Sequence, residues 1–139
     1  MCGIDMLGFI IFILFLSNMN NFSHKSSWRY NMLYELRIYY INSNKMPDIH
    51  KRFAENTLDL FKKHNIHVCD FYEDAEDGEK LYYICAFEDR NARDVAFDAF
   101  REDKDWQRVF EESRVNGAIV EKVESFFMNR VPYINVNWK

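Results

Sequence analysis

The ten residues Met32-Leu-Tyr-Glu-Leu-Arg-Ile-Tyr-Tyr-Ile41 constrain the fold more than any other stretch of the chain. Tyr34, Leu36, Ile38 and Tyr40 alternate with Glu35, Arg37 and Tyr39. A period of two built from aromatic and β-branched residues specifies a strand. Everything patterned like a packed domain follows it, and what precedes it differs in kind. Met6 to Leu16 is an unbroken apolar run, and Ser17 to Ser27 is rich in Asn and Ser.

That run is shorter than the roughly 20 apolar residues a membrane span requires, so no stable membrane insertion is expected. A signal peptide would place positive charge first, yet Asp5 is the only charged side chain before the run. Trp28 must be encoded by UGG, and Arg29 can be AGG or AGA. Together they can spell a GGAGG-type ribosome-binding sequence just ahead of Met32. Residues 1–31 are therefore either a gene-calling extension, with translation starting at Met32, or a divergent signal or anchor segment. In both cases the expected domain is 32–134, with 135–139 as a tail.

Leaving out residues 1–31 removes two basic and one acidic side chain, taking the formal charge from −4 to −5. The acidic balance thus belongs to the domain, and with no basic run it argues against nucleic acid or an anionic membrane as partner. The size suits one domain with a real core. None of Cys2, Cys69 and Cys85 forms a metal-binding C-x-x-C pair. Reduced strand cysteines fit a cytoplasmic protein.

Beyond the first strand, Pro47 and Asp48 open a helical pattern over about 46–64, with Met46, Ile49, Phe53, Thr57, Leu60 and His64 on its apolar side. Ile66 to Ala75 and Lys80 to Glu88 read as strands. Asp77-Gly78 between them signals a two-residue hairpin turn with positive φ. That register sets Cys69 opposite Ala86 and Cys85 opposite Asp70, with the thiols on opposite faces. Asp89 or Asn91 caps a helix carrying Val95, Ala96, Ala99 and Phe100. Another begins at Asp103 or Lys104, with Trp106, Val109, Phe110 and Ser113 on one side, and Gly117 ends it. Ala118 to Val131 is the last strand.

This order is the βαββαβ pattern of a ferredoxin-like α+β fold, an antiparallel sheet with helices on one face. The Tyr34/Leu36/Ile38 side of the first strand is expected to face the helices, and Glu35, Arg37 and Tyr39 the open side. A bare sheet face rich in Tyr, Phe and Val predicts a homodimer joined through it, a dimeric α+β barrel.

Tyr34-Glu35-Leu36-Arg37-x-Tyr39, His64-Asn65-Ile66, Asp105-Trp106-Gln107 and Val123-Glu124-Ser125-Phe126 occur in that order, and with them the chain resembles the NIPSNAP family over nearly all of 32–134. The resemblance implies the dimeric α+β barrel fold. It also implies mitochondrial proteins of vesicle traffic and mitophagy signalling in animals and mostly uncharacterised proteins in bacteria. An Arg-rich amphipathic transit peptide is not evident.

The candidate ligand residues are Glu35, Arg37, Tyr39, His50 and Trp106. Glu35 and Arg37, with Lys122 and Glu124 expected beside them, read either as an ion-pair cluster lining a polar cavity between two sheets or as a salt-bridge network setting dimer register. The network is the commoner use of such charges. His50 flanks the apolar stripe of the first helix, where a satisfied histidine is commoner than a general base. Trp106 and Phe110, four apart, are most simply core. His64, His67 and Cys69 match no zinc spacing. With two glycines in the domain, Gly78 and Gly117, glycine-rich cofactor loops are excluded. No metal or cofactor is expected, and catalytic residues are not identifiable.

Two functions follow. The first is a homodimeric small-molecule or protein binding module; the second, by fold analogy, is a cofactor-independent monooxygenase acting on a small aromatic or acidic substrate. Intact mass of native protein checks the start: a product beginning at Met32 is expected, and one that begins at Met1 or is cleaved elsewhere overturns that reading.

Overall fold

The computed structural model describes residues 32–134, so the expectations for residues 1–31 and 135–139 lie outside the described residues. Strand β1 (Leu33–Ile41) leads through a turn at Asn44 into α1 (Met46–Arg52). A π-helical turn (Phe53–Thr57) continues it into α2 (Leu58–Lys63). Strands β2 (His67–Glu73) and β3 (Lys80–Phe87) follow, then α3 (Arg90–Glu102), α4 (Lys104–Glu112) and β4 (Val120–Asn129). The sheet order is β2-β3-β1-β4, every pair antiparallel, which is the ferredoxin-like arrangement.

Local chemistry explains the boundaries. Pro47 stands in the first turn of α1, where its missing N–H is not needed. Asn44 (φ 64°) and Asn65 (φ 58°) adopt the left-handed conformation on either side of the first helical segment, which Asn tolerates better than most residues. The Asp89 carboxylate accepts from the Ala92 amide at 2.8 Å to cap α3, and Asp103 accepts from the Asp105 amide at 2.8 Å to cap α4. Gly117, at φ 101°, takes the chain toward β4.

The β2–β3 connection differs from expectation. Gly78 is not left-handed, and the turn is a longer loop, Asp74 to Glu79. The Asp74 carboxylate organises it by accepting from the amides of Glu76 (3.0 Å) and Asp77 (2.9 Å) and from the Tyr82 hydroxyl (2.6 Å). A shorter turn would forgo those bonds. The register moves accordingly: Asp70 pairs with Ile84, Val68 with Cys85, and Cys69 falls in a bulge. Both cysteines are free thiols.

The faces of β1 are also the reverse of the expected ones. Glu35, Arg37, Tyr39 and Ile41 lie under the helices, while Tyr34, Leu36, Ile38 and Tyr40 line the open side. Register supplies the reason. Glu35, Arg37 and Tyr39 pair with Cys85, Tyr83 and Leu81, the fully covered alternate of β3. Helix α3 then brings a cation to the one acid this burial includes. In α3 the covered residues are Ala96, Phe97 and Phe100, and Val95 is exposed.

The core is aromatic. Phe61 meets Phe53, Tyr83, Phe97 and Phe100 at centroid separations of 4.9 to 6.2 Å. Edge-to-face pairs of this kind add about 0.5–1.5 kcal/mol each beyond the area they bury. On the open face Phe126 is half exposed, and the hydroxyls of Tyr40, Tyr72 and Tyr82 donate to Glu124, Asp70 and Asp74. Among the described residues no helix is long and apolar enough to cross a membrane.

Candidate functional site

A cavity of about 430 Å³ lies between the covered face of the sheet and the helices. That size is within the usual range of small-molecule sites, roughly 300–1,000 Å³. Its walls are apolar and largely aromatic, with Phe53, Phe61, Phe97, Phe100, Trp106 and Phe110 among them. Arg37 and Tyr39 enter from β1, Arg52 and Thr57 from the first helical segment, and Arg101, Gln107 and Glu111 from α3 and α4.

On the sheet side the chemistry is built on Glu35, which is fully buried. Arg93 of α3 grips it with two hydrogen bonds, Nε to Oε2 and Nη2 to Oε1, both 2.7 Å. Arg37 adds a third from Nη1 at 2.8 Å. Burial pushes the Glu35 carboxyl upward. The hydrogen bond from Arg93, the charge of Arg37 and the Ser125 hydroxyl outweigh it and hold the group below its ordinary 4.5. Burial likewise disfavours the Arg37 charge, but Tyr83, Tyr39 and Glu35 hold its pKa above the usual value.

Arg37 Nε donates to the Tyr83 hydroxyl at 2.8 Å, and that hydroxyl donates to the Tyr39 hydroxyl at 2.9 Å. Tyr83 is wholly buried, and burial drives its pKa well above normal, so it stays a neutral relay between cation and cavity. The guanidinium carbons of Arg37 and Arg93 lie 4.8 and 4.6 Å from the Phe97 ring centre.

The helical side holds a different kind of arginine. Arg52 is 6 % exposed, and its guanidinium carbon lies 5.6 Å from the Trp106 ring and 5.7 Å from the Phe110 ring. Nη1 reaches Ser113 Oγ at 3.3 Å, and Nε is buried with no hydrogen-bond partner among the described residues. No carboxylate among the described residues pairs with it. Burial lowers its pKa, but a guanidinium titrates too high to lose its charge at neutral pH. The π turn accommodates this placement: the Thr57 hydroxyl donates to the Arg52 carbonyl five residues back at 3.0 Å.

The residues anticipated from sequence thus separate. Arg37, Tyr39 and Trp106 line the cavity, and Glu35 supports Arg37 from behind. His50 lies elsewhere, its Nε2 2.6 Å from Glu73 Oε1 at the far edge of the sheet, without hydrogen-bond geometry. Lys122 and Glu124 are on the opposite sheet face, where Glu124 takes the Tyr40 hydroxyl, so they are not neighbours of Arg37. The cavity is between sheet and helices rather than between two sheets.

His64 is held by Asp103 at 2.6 Å, and Lys63 pairs with the same carboxylate at 2.7 Å. Arg52, Tyr83, Arg93 and Phe97 were not singled out from sequence. Helical spacing carried a signal for three of them, since Arg52 follows Ile49 by three, and Arg93 and Phe97 are four apart.

The NIPSNAP family model matches residues 34–135. Among solved structures, an uncharacterized NIPSNAP-like domain protein from Burkholderia xenovorans superposes with a TM-score of 0.68 at 11% identity, covering 77% of this chain and 91% of that one. A NIPSNAP family protein with unknown function from Agrobacterium tumefaciens gives 0.67 at 18% identity, covering 76% and 93%. An antibiotic biosynthesis monooxygenase gives 0.52 at 16% identity, covering 72% and 99%. These likenesses establish the fold. No curated protein matches the chain.

Replacing Glu35 by Ala leaves two part-buried guanidiniums facing each other, with Asp94 still beside Arg93, and should cost about 3 kcal/mol in urea denaturation. The pH dependence has a definite sign. Because the folded carboxyl sits below its unfolded value, its stabilisation is complete above about 4.5 and fades as pH falls. The stability gap between wild type and Glu35→Gln should therefore shrink from pH 6 to pH 3; a constant gap refutes the assignment.

Proposed function

The chain belongs to the NIPSNAP family, and we propose that it is a binding protein whose cavity takes a small, largely apolar anion, with the negative group docked on Arg52. The observation that carries this reading is the missing counter-ion. Buried charges in proteins are ordinarily paired, because removing them from water costs several kcal/mol per ion. Arg52 is buried, lies beside aromatic rings and lines a cavity, with an Nε donor that no group among the described residues satisfies. Glu35 meets two arginines and neutralises one charge, so it leaves none for Arg52.

An anionic ligand supplies what is missing, and the aromatic walls take its apolar body. The oxygenase reading rests on likeness of fold, and fold does not carry chemistry.

Binding and stability should respond to Arg52 in opposite directions. In Arg52→Leu, removal of an unpaired buried charge should stabilise the free protein by about 1 kcal/mol, a Tm gain of roughly 4–8 °C. In calorimetry 4-isopropylbenzoate should bind the wild type and lose at least about tenfold in affinity with the variant. Unchanged affinity in Arg52→Leu would rule out the anion site.

The same reading joins two copies through the open face of the sheet. Leu36, Ile38, Ile84, Phe126 and Met128 lie on that face, bordered by tyrosines bonded to acids. An apolar centre with a polar rim is the anatomy of an interface. Light scattering should give twice the chain mass, and Ile38→Asp should halve it; a wild-type protein of single-chain mass at micromolar concentration removes the dimer from the proposal.

A further inference from the structure

We infer that the cavity selects ligands with two oxygen-bearing ends, a carboxylate for Arg52 and a carbonyl-type acceptor for the Tyr39 hydroxyl beside Arg37. This inference rests on the anion-binding reading above and adds the chemistry of the second end. Tyr83 accepts from Arg37 Nε and donates to Tyr39, so the Tyr39 oxygen is used as an acceptor. Its own proton has no acceptor among the described residues, and the side chain lines the cavity. A hydroxyl that accepts from a chain beginning at a cation is a polarised donor.

Arg37 Nε and Nη1 serve Tyr83, Glu35 and Ser125, so the guanidinium is a donor throughout. The sheet end of the cavity therefore offers donors and no free acceptor from this cluster. It suits a ketone, an aldehyde, an ester carbonyl or an enolate.

The two donor ends are distinct. The Arg37 guanidinium lies over Tyr39, Tyr83 and Phe97, and that of Arg52 over Trp106 and Phe110, with no ring in common. A continuous aromatic wall connects them: Phe97 meets Phe100 at 6.4 Å, and Phe100 meets Trp106 at 4.4 Å. A ligand spanning both ends runs along that wall, which favours a flat, unsaturated or aryl body. The class is thus an aryl or conjugated acid carrying a carbonyl at the end remote from its carboxylate.

The test uses two probes of nearly equal shape, 4-acetylbenzoate and 4-isopropylbenzoate, titrated calorimetrically into the full chain. The acetyl compound should bind about five- to tenfold more tightly, the worth of one good hydrogen bond. Tyr39→Phe keeps the ring against Phe53 and Tyr83 and should remove the preference, bringing the two probes to equal affinity; a preference that survives in Tyr39→Phe overturns the assignment of the second end. Equal affinities for the two probes in the wild-type protein overturn this inference and leave the Arg52 site standing. Binding of neither probe, or binding indifferent to Arg52→Leu, overturns the anion site and this inference together.

Discussion

The bond from Glu35 to Arg93 is the interaction on which the interior is arranged. An acid on the covered face of β1 could not be buried alone, since isolated carboxylates in a low-dielectric interior cost far more than a small domain's margin of stability. Arg93 reaches it from α3 with a two-pronged grip, which fixes that helix over the centre of the sheet. Phe97, one turn further along, then lies between the guanidiniums of Arg37 and Arg93 and the aromatic core. Arg37 is left partly committed to Glu35 and partly available to the cavity.

How much of this was readable in the sequence varies with the range of the interaction. Strand alternation, the Pro47 helix start, the Asp103 cap and the βαββαβ order all depend on neighbours within a few residues, and all are legible. The orientation of β1 was not. The set Tyr34, Leu36, Ile38 and Tyr40 carries no charge while the other holds Glu35 and Arg37, so local pattern points the wrong way, and the decision rests with Arg93, fifty-eight residues away. The apolar ends Leu33 and Ile41 share the parity of Glu35 and held the available clue. Asp77-Gly78 misled for a similar reason, since a dipeptide rule cannot foresee that the Asp74 carboxylate will gather a longer loop.

Of the site itself, Arg37, Tyr39 and Trp106 were visible and Arg52 was not. A charged residue within an apolar helical stripe is usually assigned to the solvated side, where its long stem can cover apolar surface. Arg52 departs from that habit because Trp106 and Phe110 from α4 close over it. Under the anion-binding proposal such a residue works against the free fold and in favour of an occupied one, the balance often struck at functional sites.

The π turn at Phe53–Thr57 has a consequence for how members of this fold can be aligned. Each residue of an ordinary helix advances the side chain by about 100°, so losing one residue there would turn the segment before it by that angle relative to Phe61. Arg52 would leave the cavity although every side chain after the turn stayed in place. The Cys69 bulge introduces a second offset in β2, just after the helical segment. Equivalent positions in distant relatives are therefore matched by angular phase around the helix and by face of the strand, and a gap-free count along the chain loses the cavity arginine first.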